Sequence, residues 1–133
     1  MTKKRILLID DEQDLCLVMK LNLERTGAYE VLTAATGEEG LDLARRAPID
    51  LVITDFKLPG MDGESVLDAL KAIRPQAPVL LCSIYHDDAT RVTPALHRKA
   101  DGILVKPINR EQLTRTIEAV LARSRDGSGD AHA

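Results

Sequence analysis

Ile49-Asp50-Leu51-Val52-Ile53-Thr54-Asp55, followed at once by Phe56-Lys57-Leu58-Pro59-Gly60-Met61-Asp62-Gly63, sets an apolar run against a carboxylate and then a turn. Leu51-Val52-Ile53 is apolar on both faces, which suits a central strand covered by helices on each side. A carboxylate at the tip of such a strand is costly unless a cation or a reaction needs it there. A second run, Arg5-Ile6-Leu7-Leu8-Ile9, closes on Asp10-Asp11. A later one, Gly102-Ile103-Leu104-Val105, closes on Lys106-Pro107. Two acidic tips and one basic tip point to one pocket where strand ends meet.

Outward from that stretch, strand-like runs alternate with helical patterns from end to end, which predicts an α/β fold with a parallel sheet. The strand candidates are Arg5–Ile9, Glu30–Ala34, Asp50–Thr54, Val79–Ser83 and Ile103–Val105. Asp11 can cap a first helix that runs to about Thr26 and stops at Gly27, with Leu15, Val18, Met19 and Leu23 inward. Thr36 can cap the second, with Leu41, Leu43 and Ala44, bounded by Pro48. Asp62 can cap the third, with Val66, Leu67, Leu70 and Ile73 inward and Pro75 beyond. For the fourth, Thr93 as cap and Pro94 at the first helical position predict a short helix, Pro94–Lys99. Asn109 can cap the last, with Leu113, Ile117, Val120 and Leu121 inward. Residues 1–125 then form one domain, and 126–133, Asp-Gly-Ser-Gly-Asp-Ala-His-Ala, are expected to be a disordered tail or linker.

The chain has 133 residues, enough for one domain with its own core. Its formal net charge of -3 gives no basic footprint for direct nucleic-acid binding. No apolar run approaches the roughly 20 residues of a membrane span and no signal peptide is evident, so a cytoplasmic protein is expected. Cys16 and Cys82 lack metal-ligand or redox spacing and read as small core fillers. His86, His97 and His132 also lack metal spacing and read as solvated surface residues.

In a doubly wound sheet of order 2-1-3-4-5, ligands collect outside the carboxyl ends of the first and third strands, where strand order reverses. That geometry joins Asp10, Asp11 and Asp55, and three carboxylates call for a hard divalent cation such as Mg²⁺. An aspartate attacking a phosphoryl group needs the equatorial oxygens neutralised. Mg²⁺, Lys106 and the Ser83 hydroxyl would supply one partner for each oxygen. Singly, an aspartate here reads as a helix cap, Lys106 as a surface lysine and Ser83 as a local backbone partner. Their joint occurrence at strand ends points to a phosphoacceptor pocket.

Asp10-Asp11, the run Asp55 to Gly63 and Lys106-Pro107 together resemble the receiver domain of two-component response regulators, a CheY-like, flavodoxin-like (βα)5 fold. The likeness covers about Lys4 to Arg123. It implies that Asp55 takes a phosphoryl group from a histidine kinase or histidine phosphotransfer protein. It implies a Mg²⁺ site of Asp10, Asp11, Asp55 and the Lys57 backbone carbonyl. It makes Ser83 the switch hydroxyl and Lys106 the phosphate-binding lysine, with the Lys106-Pro107 bond cis. Lys57 and Tyr85 take positions that tune the lifetime of the phosphoryl group. Such a protein is a signal carrier and not an enzyme acting on external substrates, although it assists its own phosphorylation and hydrolysis.

The chain also departs from that pattern. Ile103 stands where receivers commonly carry the Tyr or Phe of the aromatic switch, and Ile84 stands where a small residue is usual. Lys99 replaces a frequent glycine in a stretch between Ser83 and Gly102 that is about one residue longer. Ile103, Ile84 and the unusual fourth helix suggest one alternative, a phosphorylation-independent receiver-like interaction module; the single-domain length leaves another, the receiver fragment of a hybrid histidine kinase. A phosphohydrolase using an aspartyl phosphate is disfavoured, since Lys57 stands where such enzymes place a general acid. Leu17 and Leu21, off the inward face of the first helix, suggest a docking face for the kinase or phosphotransfer partner.

Overall fold

Residues 6–9, 51–55 and 79–83 are buried on both faces, as central strands covered by helices must be. The structure, a computed structural model, describes residues 3–84 and 94–130; for Ile84, His97 and residues 124–130 it describes the backbone only. In chain order the described elements are β1 (Lys4–Ile9), α1 (Gln13–Glu24), β2 (Tyr29–Ala34), α2 (Gly37–Arg46), β3 (Leu51–Asp55), β4 (Lys57–Leu58), β5 (Met61–Asp62), α3 (Gly63–Ile73), β6 (Val79–Ile84), α4 (Pro94–Lys99), β7 (Gly102–Lys106) and α5 (Arg110–Asp130).

Five strands pair in parallel in the order β2-β1-β3-β6-β7, the 2-1-3-4-5 pattern of a doubly wound fold. Alternate side chains leave a strand on opposite faces. Leu7, Ile9, Val52, Val79 and Leu81 therefore join one cluster with Leu41 and Ala44 of α2, Val66, Leu67 and Leu70 of α3, and Leu96 of α4. Ile6, Leu8, Leu51, Ile53, Leu80 and Leu104 join the other, with Cys16, Met19 and Leu23 of α1 and Leu113, Ile117 and Val120 of α5. Each fully buried aliphatic side chain contributes roughly 1.5–3 kcal/mol, so two such clusters hold the sheet without staples. Both cysteines are buried and free, as expected of core fillers.

Capping follows the sequence at three helices. Thr36 Oγ1 accepts from Glu39 N at 3.1 Å, Asp62 Oδ1 from Ser65 N at 2.8 Å, and Asn109 Oδ1 from Glu111 N and Gln112 N at 2.8 and 3.1 Å. The short fourth helix has the expected bounds, while its expected cap Thr93 lies outside the described residues. Leu58-Pro59-Gly60-Met61 closes the small β4–β5 hairpin, with Gly60 at φ +80°, the turn for which Pro-Gly is preferred. Gly63 has to lack a side chain, since a Cβ there would come within 2.5 Å of the Phe56 carbonyl oxygen.

The first and last helices differ from expectation. Glu12, not Asp11, occupies the N-cap position of α1, and it makes no side-chain cap. The helix ends at Glu24, before Gly27 takes φ +79°. Its buried stripe is Cys16, Met19 and Leu23, while Val18 is 54% exposed beside Leu17 and Leu21. The stripe is set by the i, i+3, i+7 spacing of those three, and Val18 falls about 100° away from Met19. At the other end α5 continues to Asp130, past the expected stop at Arg125. Extending an existing helix adds a hydrogen bond per residue without a new nucleation step.

Candidate functional site

Strand order reverses between β1 and β3, so the crevice opens at their carboxyl ends. Asp10 is the first residue beyond β1 and still donates its N–H to the Ala34 carbonyl at 3.0 Å. Asp55 is the last residue of β3, held in register with Cys82 of β6. Both are buried, at 3% and 6% exposure, while Asp11 is exposed. One carboxylate oxygen from each of Asp10, Asp11 and Asp55 lies within 4.8 Å of the others. At that spacing like charges repel by roughly 3–4 kcal/mol at an effective dielectric near 20.

Lys106, the last residue of β7, reaches into the cluster. Its Nζ lies 3.0 Å from Asp10 Oδ2, 3.2 Å from Asp55 Oδ2 and 3.4 Å from Glu12 Oε1, and the Lys106-Pro107 bond that follows is cis. Burial pulls the ammonium pKa down, but the Asp10 hydrogen bond and the charges of Asp55 and Asp10 outweigh it and hold the lysine firmly protonated. For Asp55 the balance goes the other way. Burial raises its pKa above the ordinary carboxylate value, with the Asp10 charge adding to it, and Lys106 only partly offsets this. One ammonium serves three carboxylates, so its pull on any one of them is diluted.

The donor set fits a hard divalent cation: all-oxygen ligands, two of them buried, with an exposed third that leaves room for water. The Lys57 backbone also lies against the site, its N–H donating to Asp55 Oδ1 at 3.4 Å. Ser83 is buried and reaches the same edge by register, opposite Val105 and one residue beyond the Cys82–Asp55 pair. It makes no hydrogen bond to Asp55 or Lys106 among the described residues. Ile103 is partly buried against the cluster that holds Leu96 and Ala100. Tyr85, His86 and His132 lie outside the described residues, as do the side chains of Ile84 and His97.

Three participants were not anticipated. Glu12 is a third partner of Lys106, and Gln13 and Cys16 hydrogen-bond the Asp10 carbonyl oxygen at 2.9 and 3.4 Å. Glu12 was legible as the third acid of Asp10-Asp11-Glu12. The other two carried no signal, because a contact to a backbone oxygen leaves no motif.

A doubly wound sheet with paired acids and a lysine at its switch point defines the class: an α/β protein with an acidic, cation-competent site at the carboxyl edge. The chain belongs to the response regulator receiver domain family, whose family model matches residues 6–118. It is 34% identical over 121 residues to the alkaline phosphatase synthesis transcriptional regulatory protein PhoP of Bacillus subtilis, covering 91% of this chain and 50% of that protein. It is 37% identical over 126 residues to the transcriptional regulatory protein AfsQ1 of Streptomyces coelicolor, covering 95% and 55%. The chain thus spans about half the length of these curated relatives. Among solved structures, a response regulator receiver domain protein of Clostridium thermocellum superposes with a TM-score of 0.82 at 34% identity, covering 92% of this chain and 97% of that one. A CheY-like receiver domain protein of Methanospirillum hungatei gives 0.86 at 30% identity, covering 95% and 99%. No described helix is long and apolar enough to cross a membrane.

Proposed function

We propose that this chain is a phosphorylation switch in which Asp55 is the phosphoacceptor. An Asp55 carboxylate oxygen attacks the phosphorus of a phosphohistidine on a histidine kinase or phosphotransfer protein. The P–O bond to Asp55 forms, the P–N bond breaks, and the histidine leaves. Asp10, Asp11, Asp55 and the Lys57 carbonyl would hold Mg²⁺, which neutralises phosphoryl charge. Lys106 pairs with a second phosphoryl oxygen and Ser83 donates to a third. Attack by water on the same phosphorus later breaks the Asp55 O–P bond and releases inorganic phosphate, returning the carboxylate at a rate tuned by Lys57 and Tyr85. The observation that carries this reading is the placement of Lys106 Nζ 3.2 Å from Asp55 Oδ2 and 3.0 Å from Asp10 Oδ2 at the switch point.

Modification adds charge and acceptor oxygens, and Ser83 and Lys106 re-pair around them. The change is read by a partner at the outer face near β6 and β7. In a longer form of this protein that partner would be an output region, transcriptional as in the two named relatives. The acidic receiver stretch itself makes no direct nucleic-acid contact and works in the cytoplasm, with residues 126–133 serving as tail or linker.

The test is phosphorylation with acetyl phosphate and Mg²⁺, read by intact mass. One phosphoryl addition is expected, absent in Asp55→Asn. An unmodified wild type would favour a receiver-like interaction module, the reading to which Ile103 lends weight. A shorter acyl-phosphate lifetime is expected in Tyr85→Ala, and an unchanged lifetime would remove Tyr85 from the tuning role.

A further inference from the structure

We infer that Gln13, with Cys16 beside it, is a positioning residue for the cation site: the two side chains clamp the Asp10 carbonyl oxygen and so fix the Asp10 carboxylate. The inference rests on the proposed role of Asp10 in holding the metal.

Asp10 is restrained at both ends. Its carbonyl oxygen accepts from Gln13 Nε2 at 2.9 Å and from Cys16 Sγ at 3.4 Å, and the two donors touch each other at 3.9 Å. Its carboxylate accepts from Glu12 N on Oδ1 at 2.9 Å and from Lys106 on Oδ2 at 3.0 Å. The carbonyl contacts are not part of helix capping, because α1 begins at Gln13 and Glu12 caps nothing with its side chain. Gln13 is exposed, so it gives up side-chain freedom and water contacts to reach this oxygen. Cys16 is buried, and its thiol faces the same oxygen. Without the clamp, the peptide between Asp10 and Asp11 loses the restraint on its carbonyl, and two adjacent metal ligands are held less firmly. Contacts that orient ligands in this way set metal affinity.

Gln13→Met keeps side-chain length and helix propensity but has no donor. Titration calorimetry should show its Mg²⁺ Kd raised about 5-fold, the worth of one ordinary hydrogen bond, while the midpoint of thermal unfolding without Mg²⁺ falls by no more than about 8 °C. Cys16→Ala should shift the Kd in the same direction, and Cys16→Ser, which restores a donor, should recover it. A Gln13→Met Kd equal to the wild-type value overturns the inference. If the wild type takes up no Mg²⁺, the metal role of the site fails by itself. The clamp is then judged by amide exchange at Glu12, expected to be about 5-fold faster in Gln13→Met, and an unchanged exchange rate overturns it.

Discussion

The two ends of the parallel sheet treat carboxylates in opposite ways. At the amino end each acid has its own donors. Asp101 Oδ2 accepts from Lys71 and, at 2.7 Å, from Val79 N; Asp50 Oδ2 accepts from Arg5 N at 2.7 Å; and Glu30 pairs with Arg5 at 2.6 Å. At the carboxyl end Asp10, Glu12 and Asp55 share one ammonium, while Asp11 lies within the same 4.8 Å cluster. The first arrangement joins strands. The second leaves negative charge in excess beside a partly buried lysine, which stability alone would not favour and which a cation and a phosphoryl group would use.

Removing the lysine from each end should expose this contrast most strongly. Lys106→Met leaves Asp10 and Asp55 buried without their cation, and such breaks cost about 3–5 kcal/mol. Lys71→Met leaves Asp101 its Val79 N–H, and its ion pair is about a third exposed, so a loss below about 1 kcal/mol is expected. Urea unfolding of the two variants in Mg²⁺-free buffer measures both. Equal losses would mean that the two ends are electrostatically alike.

Asp55→Asn should abolish phosphoryl uptake and yet stabilise the metal-free fold, by about 1–3 kcal/mol on the scale of screened carboxylate repulsion. The pH dependence has the same origin. The folded pKa of Asp55 lies above its ordinary 3.8, so the native state binds the proton more tightly than the unfolded chain. That contribution is present below 3.8 and is lost as pH rises through the folded value. Lys106 follows the same rule at alkaline pH: its contribution is full below 10.5 and disappears only as pH passes its raised folded value. Melting curves with and without Mg²⁺ should therefore diverge as pH climbs from 4 toward neutrality, with a gain of about 2.7 kcal/mol at a hundredfold excess over Kd. A metal gain independent of pH would dissociate Asp55 from the cation.

Much of this was legible from residue order. Leu51-Val52-Ile53 and Val79-Leu80-Leu81-Cys82 announce central strands because both faces are apolar, and strand ends then bring Asp10, Asp55 and Lys106 to one edge. Caps at Thr36, Asp62 and Asn109 were legible because a side-chain oxygen and the following amides lie close in sequence. Asp11 misleads for the same reason: it has the chemistry of a cap but stands one residue too early, and Asp10 Oδ1 takes the Glu12 N–H. Val18 looked inward because apolar residues are dense along α1, and only packing against β1 and β2 decides which stripe is buried. Gln13 and Cys16 act through contacts to a backbone oxygen that no spacing rule encodes.

The smallest effect concerns the exposed surface of α1. Leu17, Val18 and Leu21 of α1 are each 54% exposed, forming an apolar patch with no role in the core. Leu17→Ser should change stability by no more than about 0.5 kcal/mol, as surface substitutions do. It should leave acetyl phosphate labelling of Asp55 intact, because the small donor needs only the pocket. Transfer from a histidine kinase or phosphotransfer protein needs a docked partner and should slow, by about 5-fold or more if the side chain contributes a typical 1 kcal/mol contact. Stopped-flow transfer beside small-donor labelling separates the two. If both rates stay at wild-type values, the partner docks elsewhere, and the exposed leucines are ordinary surface residues of a helix whose other face is fully used.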